Sequence, residues 1–564
     1  MPQLNYETTL VHLFFDRVAA SRDRSALLVK REGEFQSLTW NDIAQDVRRY
    51  VAVLGCFGLR PGDRVFQLSE NRYEWIIADL ALMPARGVHV PVHAPLTGSQ
   101  VAFQIRDSGA KIVLISDKEQ AAKLASAAQH LPEDLQFFTY DACDVTIGRL
   151  DVRPLGDVAQ QTDQLGLEKE TGFEQAALRD LTPDSLATIL YTSGTTGEPK
   201  GVCLTQRNLV SNTLATLEMF DQKSGDRRLS FLPLSHIFAR TCDLYTWIAS
   251  GAELAIAASR ETVVADAQAT RPTHISGVPY FYDKLARGLT DAGMTDTPGA
   301  ANGLLGGNLR MCASGGAALP GYLFEFYERQ GLPVYQGYGL TETSPVITVS
   351  WPGNSKSGSD CKAIPDVEIR IAEDGEILTR GPHVMQGYWN DEAATREMID
   401  EAGWLATGDL GHLDDDGYLF ITGRKKEIIV TAAGKNVAPV LLESLLTEDP
   451  LIIQAMIVGD DRKYLSALIV PDPDNLKAEI AARGISVFSK EQALAHPEVT
   501  KLYAERIAFR LGYVSRHEQV QKFTLLGRGF TVESGELTPK LSLRRQVIAK
   551  NLAAEIEAMY ADHA

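Results

Sequence analysis

Cysteine is sparse in this chain and never paired at close spacing. The six cysteines among 564 residues (Cys56, Cys143, Cys203, Cys242, Cys312 and Cys361) are widely scattered. No two stand at the spacing of a zinc site or a redox dithiol, so reduced and mostly buried thiols in a cytosolic protein are expected. Long hydrophobic runs are also missing. The most apolar stretch, Trp75 to Pro91, is interrupted by Asp79, Arg86 and His89. It falls short of the ~20 apolar residues a membrane span needs. Peripheral contact with the inner membrane face stays open. The first residues show no basic segment followed by an apolar core, so no signal peptide is expected. Long basic runs are absent too, and the net charge is -18. An acidic surface repels phosphodiester backbones, which argues against nucleic acid as the main partner.

What is present is an ordinary globular composition, 45% hydrophobic and 23% charged, on a chain too long for one core. Strand-like and helix-like stretches alternate. Asp63–Leu68 reads as a strand, Glu70–Leu82 as a helix, and Val88–Val92, Lys111–Ile115 and Ala187–Tyr191 as further strands. Such alternation implies an α/β fold with largely parallel sheets. Asp141–Asp180 and Gly293–Gly307 read as loops. A turn-rich stretch at 420–427 marks a boundary, predicting a domain of residues 1–423 and a second of 424–564. The final segment is long enough for a small independent domain.

One motif decides the class. Residues 191–202 read YTSGTTGEPKGV after the apolar run LATIL, which places them at the exit of a buried strand. Thr192, Ser193, Thr195 and Thr196 supply hydroxyls, Gly194 and Gly197 open the backbone, and Lys200 adds charge. Glycines let backbone N–H groups approach an anion, and hydroxyls and lysine add donors, so this is a phosphate-gripping loop. It is not a Walker A loop, because Glu198 and Pro199 separate Gly197 from Lys200.

With this motif the chain resembles the adenylate-forming superfamily of acyl-CoA synthetases, beetle luciferases and peptide-synthetase adenylation domains. The resemblance covers nearly the whole chain. Further motifs follow in the family's order: SGGAALP at 314–320, YGLTETSP at 338–345, TGDLG at 407–411 and GRKKEIIVTAAGKNVAP at 423–439. The resemblance implies a large multi-sheet N-terminal domain with a small barrel-like unit, and a small mobile α+β C-terminal domain. It also implies a two-step reaction. A carboxylate attacks the α-phosphate of ATP with Mg²⁺, and the thiol of coenzyme A then displaces AMP. Both steps need phosphate charge neutralised and the reactants held in line.

By the same resemblance, Thr192 to Lys200 hold the triphosphate. Gly315, Gly316 and Ala317 line the adenine pocket with Tyr338 and Gly339, Thr341 meets the α-phosphate, and Glu342 holds the metal. Mg²⁺ keeps most of its waters, so one carboxylate plus phosphate oxygens suits it. Asp409 and Arg424 match ribose contacts, Lys426 the hinge, and Gly434, Lys435 and Asn436 the coenzyme A channel. His236, in LPLSHIFAR, matches a position facing the substrate carboxylate. FLPLSHIF carries no aspartate to pair with an α-amino group, so the implied substrate is a non-amino acid.

Several stretches, including LPLSHIFAR, GKNVAP and GDDRKYLSALIVPD, resemble bacterial long-chain acyl-CoA synthetases. In GVPYFYDKL, Tyr280 stands where that branch often has arginine. The resemblance thus implies medium- to long-chain fatty acids. Transfer of the acyl group to a carrier protein, a luciferase-like oxygenase and a non-catalytic nucleotide or acyl-CoA binder are the alternatives.

The pattern breaks at GELTPKLSLRR. Long-chain relatives carry their adenylation lysine two residues before the Arg-Arg pair, where this chain has Ser542. Lys540 stands two residues earlier. In an extended segment the two side chains share a side, with Cα atoms roughly 6.5 to 7 Å apart. Either Lys540 takes over the role through its long flexible side chain, or adenylation is impaired. The other motifs are intact, which favours Lys540.

Overall fold

The computed structural model describes residues 4–164, 179–192, 198–220, 222–356, 358–359, 361–531, 534–537 and 543–561. The chain forms two compact units. One comprises Met1–Leu319, Leu323–Arg370 and Leu378–Thr407; the other Pro320–Tyr322, Ile371–Ile377 and Gly408–Ala564.

The larger unit is built on two nine-stranded sheets. The first runs in the order Lys362–Ala363, Val346–Val349, Val334–Gly339, Met311–Ser314, His274–Gly277, Arg227–Ser230, Glu253–Ile256, Ser25–Arg31 and Glu34–Thr39. The second runs Gly387–Tyr388, Lys200–Thr205, Leu186–Thr192, Val88–Val92, Arg64–Leu68, Ile112–Ile115, Gln136–Thr139, Leu150–Pro154 and Thr146–Ile147. Their central strands pair in parallel, and antiparallel strands close the edges. The expected strands lie within a residue or two of the observed ones. Continuous burial along Val65–Leu68, Val88–Val92 and Ile112–Ile115 is what a parallel sheet covered on both faces requires.

Local chemistry sets the helix ends. Thr39 and Asp42 form a capping box on helix Trp40–Cys56. Thr97 and Gln100 do the same for Gly98–Ser108. Each pair satisfies two backbone N–H groups that the first helical turn leaves unbonded.

Two expected loops hold regular structure. Asp141–Asp180 contains strands Thr146–Ile147 and Leu150–Pro154 and helix Leu155–Gln164. Gly293–Gly307 contains the helical turn Ala300–Leu304. These elements are short and half-exposed, so their apolar periodicity is too brief to stand out from a polar background.

A separate four-stranded sheet is formed by Glu368–Ile371, Glu376–Arg380, Leu405–Leu413 and Leu419–Arg424. The smaller unit has a three-stranded sheet of Ile452–Val458, Leu465–Pro471 and Val520–Leu525. Helices Pro439–Thr447 and Pro497–Arg510 supply Leu442, Leu446, Leu502 and Ile507 to its core. Among the described residues no helix is long and apolar enough to cross a membrane. All six cysteines are free thiols, four of them buried.

The larger unit buries three histidines. Burial lowers His89 from 6.5 to about 4, helped by the nearby Arg240 charge, and lowers His274 and His383 to about 3. An unfolded chain takes up these protons near pH 6.5, but the folded chain resists until pH 4 or below. Their contribution to stability is therefore complete above pH 6.5 and is lost as the pH falls toward 4. His89 alone accounts for about 3 kcal/mol across that window, at about 1.4 kcal/mol per pH unit. Thermal melts should show the larger unit losing stability steadily from pH 6.5 to 4; a melting temperature unchanged between pH 7 and 5 contradicts this.

Candidate active site

The phosphate-gripping segment joins two antiparallel strands. Strands Leu186–Thr192 and Lys200–Thr205 pair so that Thr192 lies directly opposite Lys200 at its base. Ser193, Gly194, Thr195, Thr196 and Gly197 lie outside the described residues. Gly201 has no room for a side chain, since a Cβ would stand 2.8 Å from Ile189 Cγ2 and 3.1 Å from Trp389 Cβ. That close approach lets Gly387–Tyr388 add to the hairpin's edge, with Trp389 N–H donating to the Gly201 carbonyl at 2.7 Å.

This added strand brings Tyr388 between Lys200 and Glu342. Lys200 Nζ lies 5.1 Å from the Tyr388 ring centroid and 3.8 Å from Asp391 Oδ2. The Tyr388 hydroxyl donates to Glu342 Oε1 at 2.9 Å. Burial, reinforced by the Glu342 charge, pushes the Tyr388 phenol above its ordinary range, so it stays a donor. A lysine ammonium and a carboxylate from distant parts of the chain thus share one tyrosine. Glu342 is left with a second oxygen, enough for a hydrated Mg²⁺ held mainly by phosphate oxygens. Among the described residues no group of three or more acidic, histidine or cysteine side chains could cage a metal.

Glu342 sits on the turn Thr341–Thr343, which is held from several sides. The Asn212 amide, from helix Gln206–Phe220, donates to the carbonyls of Thr343 at 3.3 Å and Val346 at 2.8 Å. Met385 N–H donates to the Glu342 carbonyl at 2.8 Å. The Ser344 hydroxyl donates to the His383 carbonyl at 2.9 Å. Gly339 enters this turn so tightly that a Cβ would overlap the Pro345 carbonyl.

Gly315, Gly316 and Ala317 follow strand Met311–Ser314, beside the strand that carries Tyr338 and Gly339. The Phe238 ring lies 3.1 Å from where a Gly315 Cβ would stand. Phe238 belongs to the turn opened by His236, whose Nδ1 accepts the Phe238 N–H at 3.3 Å. That contact places the proton of the neutral ring on Nε2, leaving Nε2–H as a donor. Two groups of candidates are thus brought together in the larger unit: Thr192, Lys200 and Glu342 around Tyr388, and His236 and Gly315 around Phe238. Thr192, Gly315 and Gly339 stand at or just past the carboxyl ends of their strands, where open α/β sheets bind ligands.

The smaller unit holds the remaining candidates. Asp409 and Arg424 are strand partners, Arg424 Nε standing 3.1 Å from the buried Asp409 carboxylate. Lys425 bonds to Asp374 at 2.6 Å and Glu376 at 2.7 Å, next to the exposed Lys426. Gly434 occupies a turn with φ +70°, and the Thr431 hydroxyl accepts the Lys435 N–H at 3.2 Å. Asn436 begins a short strand paired with Ile429–Val430. Lys540 and Ser542 lie outside the described residues; Leu537 and Leu543 on either side bridge to each other.

Tyr388 and Asp391 escaped the sequence reading. Their only signal is GYWND, a stretch with no chemistry of its own until the edge strand carries it to Lys200. Gly339→Ala is expected to destabilise the larger unit by about 1–3 kcal/mol, the usual range for overpacking. Gly316→Ala, where a Cβ finds open space but φ is +81°, is expected to cost less. Chemical denaturation of the two variants measures the order; the reverse order contradicts the steric account.

A family described as AMP-binding enzyme matches residues 14–389, and one described as AMP-binding enzyme C-terminal domain matches 426–564. The long-chain-fatty-acid–CoA ligase FadD15 of Mycobacterium bovis is 34% identical, over 94% of this chain and 93% of its own. The human long-chain-fatty-acid–CoA ligase ACSBG1 is 27% identical, over 99% of this chain and 86% of its own. Among solved structures, the anthranilate CoA ligase AuaEII in complex with anthranoyl-AMP superimposes with a TM-score of 0.80 at 19% identity, covering 98% of this chain and 99% of its own. The hairpin at Thr192–Lys200, the turn bearing Glu342 and these matches together place the chain in the AMP-binding enzyme family.

Proposed function

We propose that this chain is an ATP-dependent ligase joining medium- to long-chain fatty acids to coenzyme A, releasing AMP and pyrophosphate. The observation that carries the proposal is Lys200 and Glu342 meeting on Tyr388 at the base of the phosphate hairpin. The relatives named as long-chain-fatty-acid–CoA ligases support the acid and the thiol.

In the first step the fatty carboxylate attacks the α-phosphorus. His236 Nε2–H orients it, and Lys200 with the 192–197 hydroxyls and amides takes charge from the departing pyrophosphate. Mg²⁺ on Glu342 would neutralise phosphate oxygens, while Tyr388 keeps that carboxylate aimed. Preorganised charges of this kind stabilise a developing anion without reorganising during the reaction. Gly315–Ala317 with Tyr338 and Gly339 receive the adenine, Thr341 the α-phosphate, and Asp409 and Arg424 the ribose. Lys540 serves the adenylation in place of the lysine missing at Ser542.

In the second step the thiol attacks the acyl carbon and AMP leaves. Residues 1–423 and 424–564 act as two domains pivoting at Lys426, with Gly434, Lys435 and Asn436 lining the path of coenzyme A. A site assembled by a moving domain excludes water during chemistry. The enzyme acts in the cytoplasm, against the inner membrane face where its substrate partitions.

Purified protein given ATP, Mg²⁺, coenzyme A and a pool of fatty, aryl and amino acids should yield long-chain acyl-CoA by mass spectrometry. No thioester from any acid, or acyl transfer to carrier protein alone, would overturn the proposal. Lys540→Ala should lower adenylation by 100-fold or more; Tyr388→Phe should cost about tenfold at limiting Mg²⁺, the worth of one hydrogen bond to a charged group.

A further inference from the structure

A single buried turn touches three of the motif-bearing elements. The residues Arg240–Tyr245 follow the His236 turn and form a π-helix, a geometry that is rare and concentrated at functional sites. All six are buried, and two carry charges. Arg240 Nη1 donates to Thr188 Oγ1 at 2.8 Å, and its other terminal nitrogen pairs with Asp79. Thr188 lies on the strand that leads into the phosphate hairpin, four residues before Thr192. Thr241 Oγ1 donates to the Ser344 carbonyl at 2.9 Å, two residues beyond Glu342. Asp243 accepts from Arg228 at 2.9 Å and from Ser230 at 3.0 Å. Arg228 also donates to Ser276 at 2.9 Å, on the strand paired with the one that leads into Gly315.

Buried ion pairs are weak as stabilisers, because the cost of removing both charges from water offsets their attraction. Two such pairs three residues apart, on one turn and facing different sheets, are a poor way to gain stability. They are an effective way to fix register, since each bond has a single acceptable geometry and a misplaced partner leaves a buried charge unpaired. A purely apolar turn would tolerate sliding.

We infer that Arg240, Thr241 and Asp243 are positioning residues. They hold the phosphate hairpin, the Glu342 turn and the strand layer beneath Gly315 in one register, so that the acyl carboxylate, metal and triphosphate align for the first step. This rests on the ligase reading and assigns that site a support its motifs do not contain. Thr241 is the sharpest probe, because valine has nearly its shape and lacks only the hydroxyl.

The test separates the two half-reactions. Adenylation is followed by acid-dependent ATP–pyrophosphate exchange, and thioester formation by coenzyme A-dependent consumption of preformed acyl-AMP. Thr241→Val should slow exchange at least tenfold and raise the KM for MgATP, with the KM for the acid and the acyl-AMP reaction within about twofold of the native chain. Thr241→Ser should restore exchange. Arg240→Lys, which keeps a charge beside Asp79 but not the forked reach to Thr188, should show the same bias. A parallel fall in both half-reactions with the melting temperature, or exchange unchanged in Thr241→Val, would overturn the inference alone. A native chain without exchange for any acid would overturn the ligase reading and this inference with it.

Discussion

Opposite charges sealed inside the larger unit set the constraint on which the site depends. Arg240 is fully buried against Asp79, Thr188 and Tyr245, and Trp75 lies beneath its guanidinium. Three residues on, Asp243 is buried against Arg228 and Ser230. Burial holds the Asp243 carboxyl above the usual range even beside Arg228. Asp79, by contrast, is drawn below its range, because Arg240 and His89 together overcome the penalty of burial. Once these groups leave water, each has one satisfactory set of partners. The two sheets therefore meet through fixed bonds at this turn.

From that constraint the functional geometry follows in short steps. One strand runs from Thr188 to the phosphate hairpin, another from beside Ser276 to Gly315, and a backbone bond reaches the Glu342 turn. Tyr388 then closes the arrangement from the sheet edge, joining Glu342 to the neighbourhood of Lys200. Hydrogen bonds to carbonyls from Asn212, Thr241 and Ser344 leave the side chains of Thr341 and Glu342 to the site itself. Rigid support of this kind is what a reaction dominated by charge placement demands.

Much of this was legible in the residues. Glycine, hydroxyls and lysine crowded into 191–202 announce an anion grip, because few other structures call for that mixture. The strands Arg64–Leu68, Val88–Val92 and Ile112–Ile115 were readable as mainly apolar stretches of strand length, with Gln67 and His89 the polar residues inside them. The supporting turn was not. Arg240 lies 161 residues from Asp79 and 52 from Thr188, so nothing local marks them as partners. Asp79 and His89 read as interruptions of an apolar stretch, which is correct as far as spacing goes; only the folded chain shows them as one buried pair at 2.7 Å. Tyr388 was hidden for a similar reason, since its role arises when an edge strand of two residues adds to a hairpin far away in sequence. The short strands within 141–180 were missed because each buries a single residue, which gives no measurable period.

The central claim is that a carboxylate attacks the α-phosphorus of ATP within this framework. Its most direct test uses a long-chain fatty acid with both carboxylate oxygens replaced by ¹⁸O, incubated with the protein, ATP, Mg²⁺ and coenzyme A. Acyl transfer through an adenylate places one ¹⁸O in each AMP released, and mass spectrometry of the nucleotide reads it. That outcome is the one predicted. Unlabelled AMP beside acyl-CoA, or label appearing in inorganic phosphate with ADP, would contradict the account.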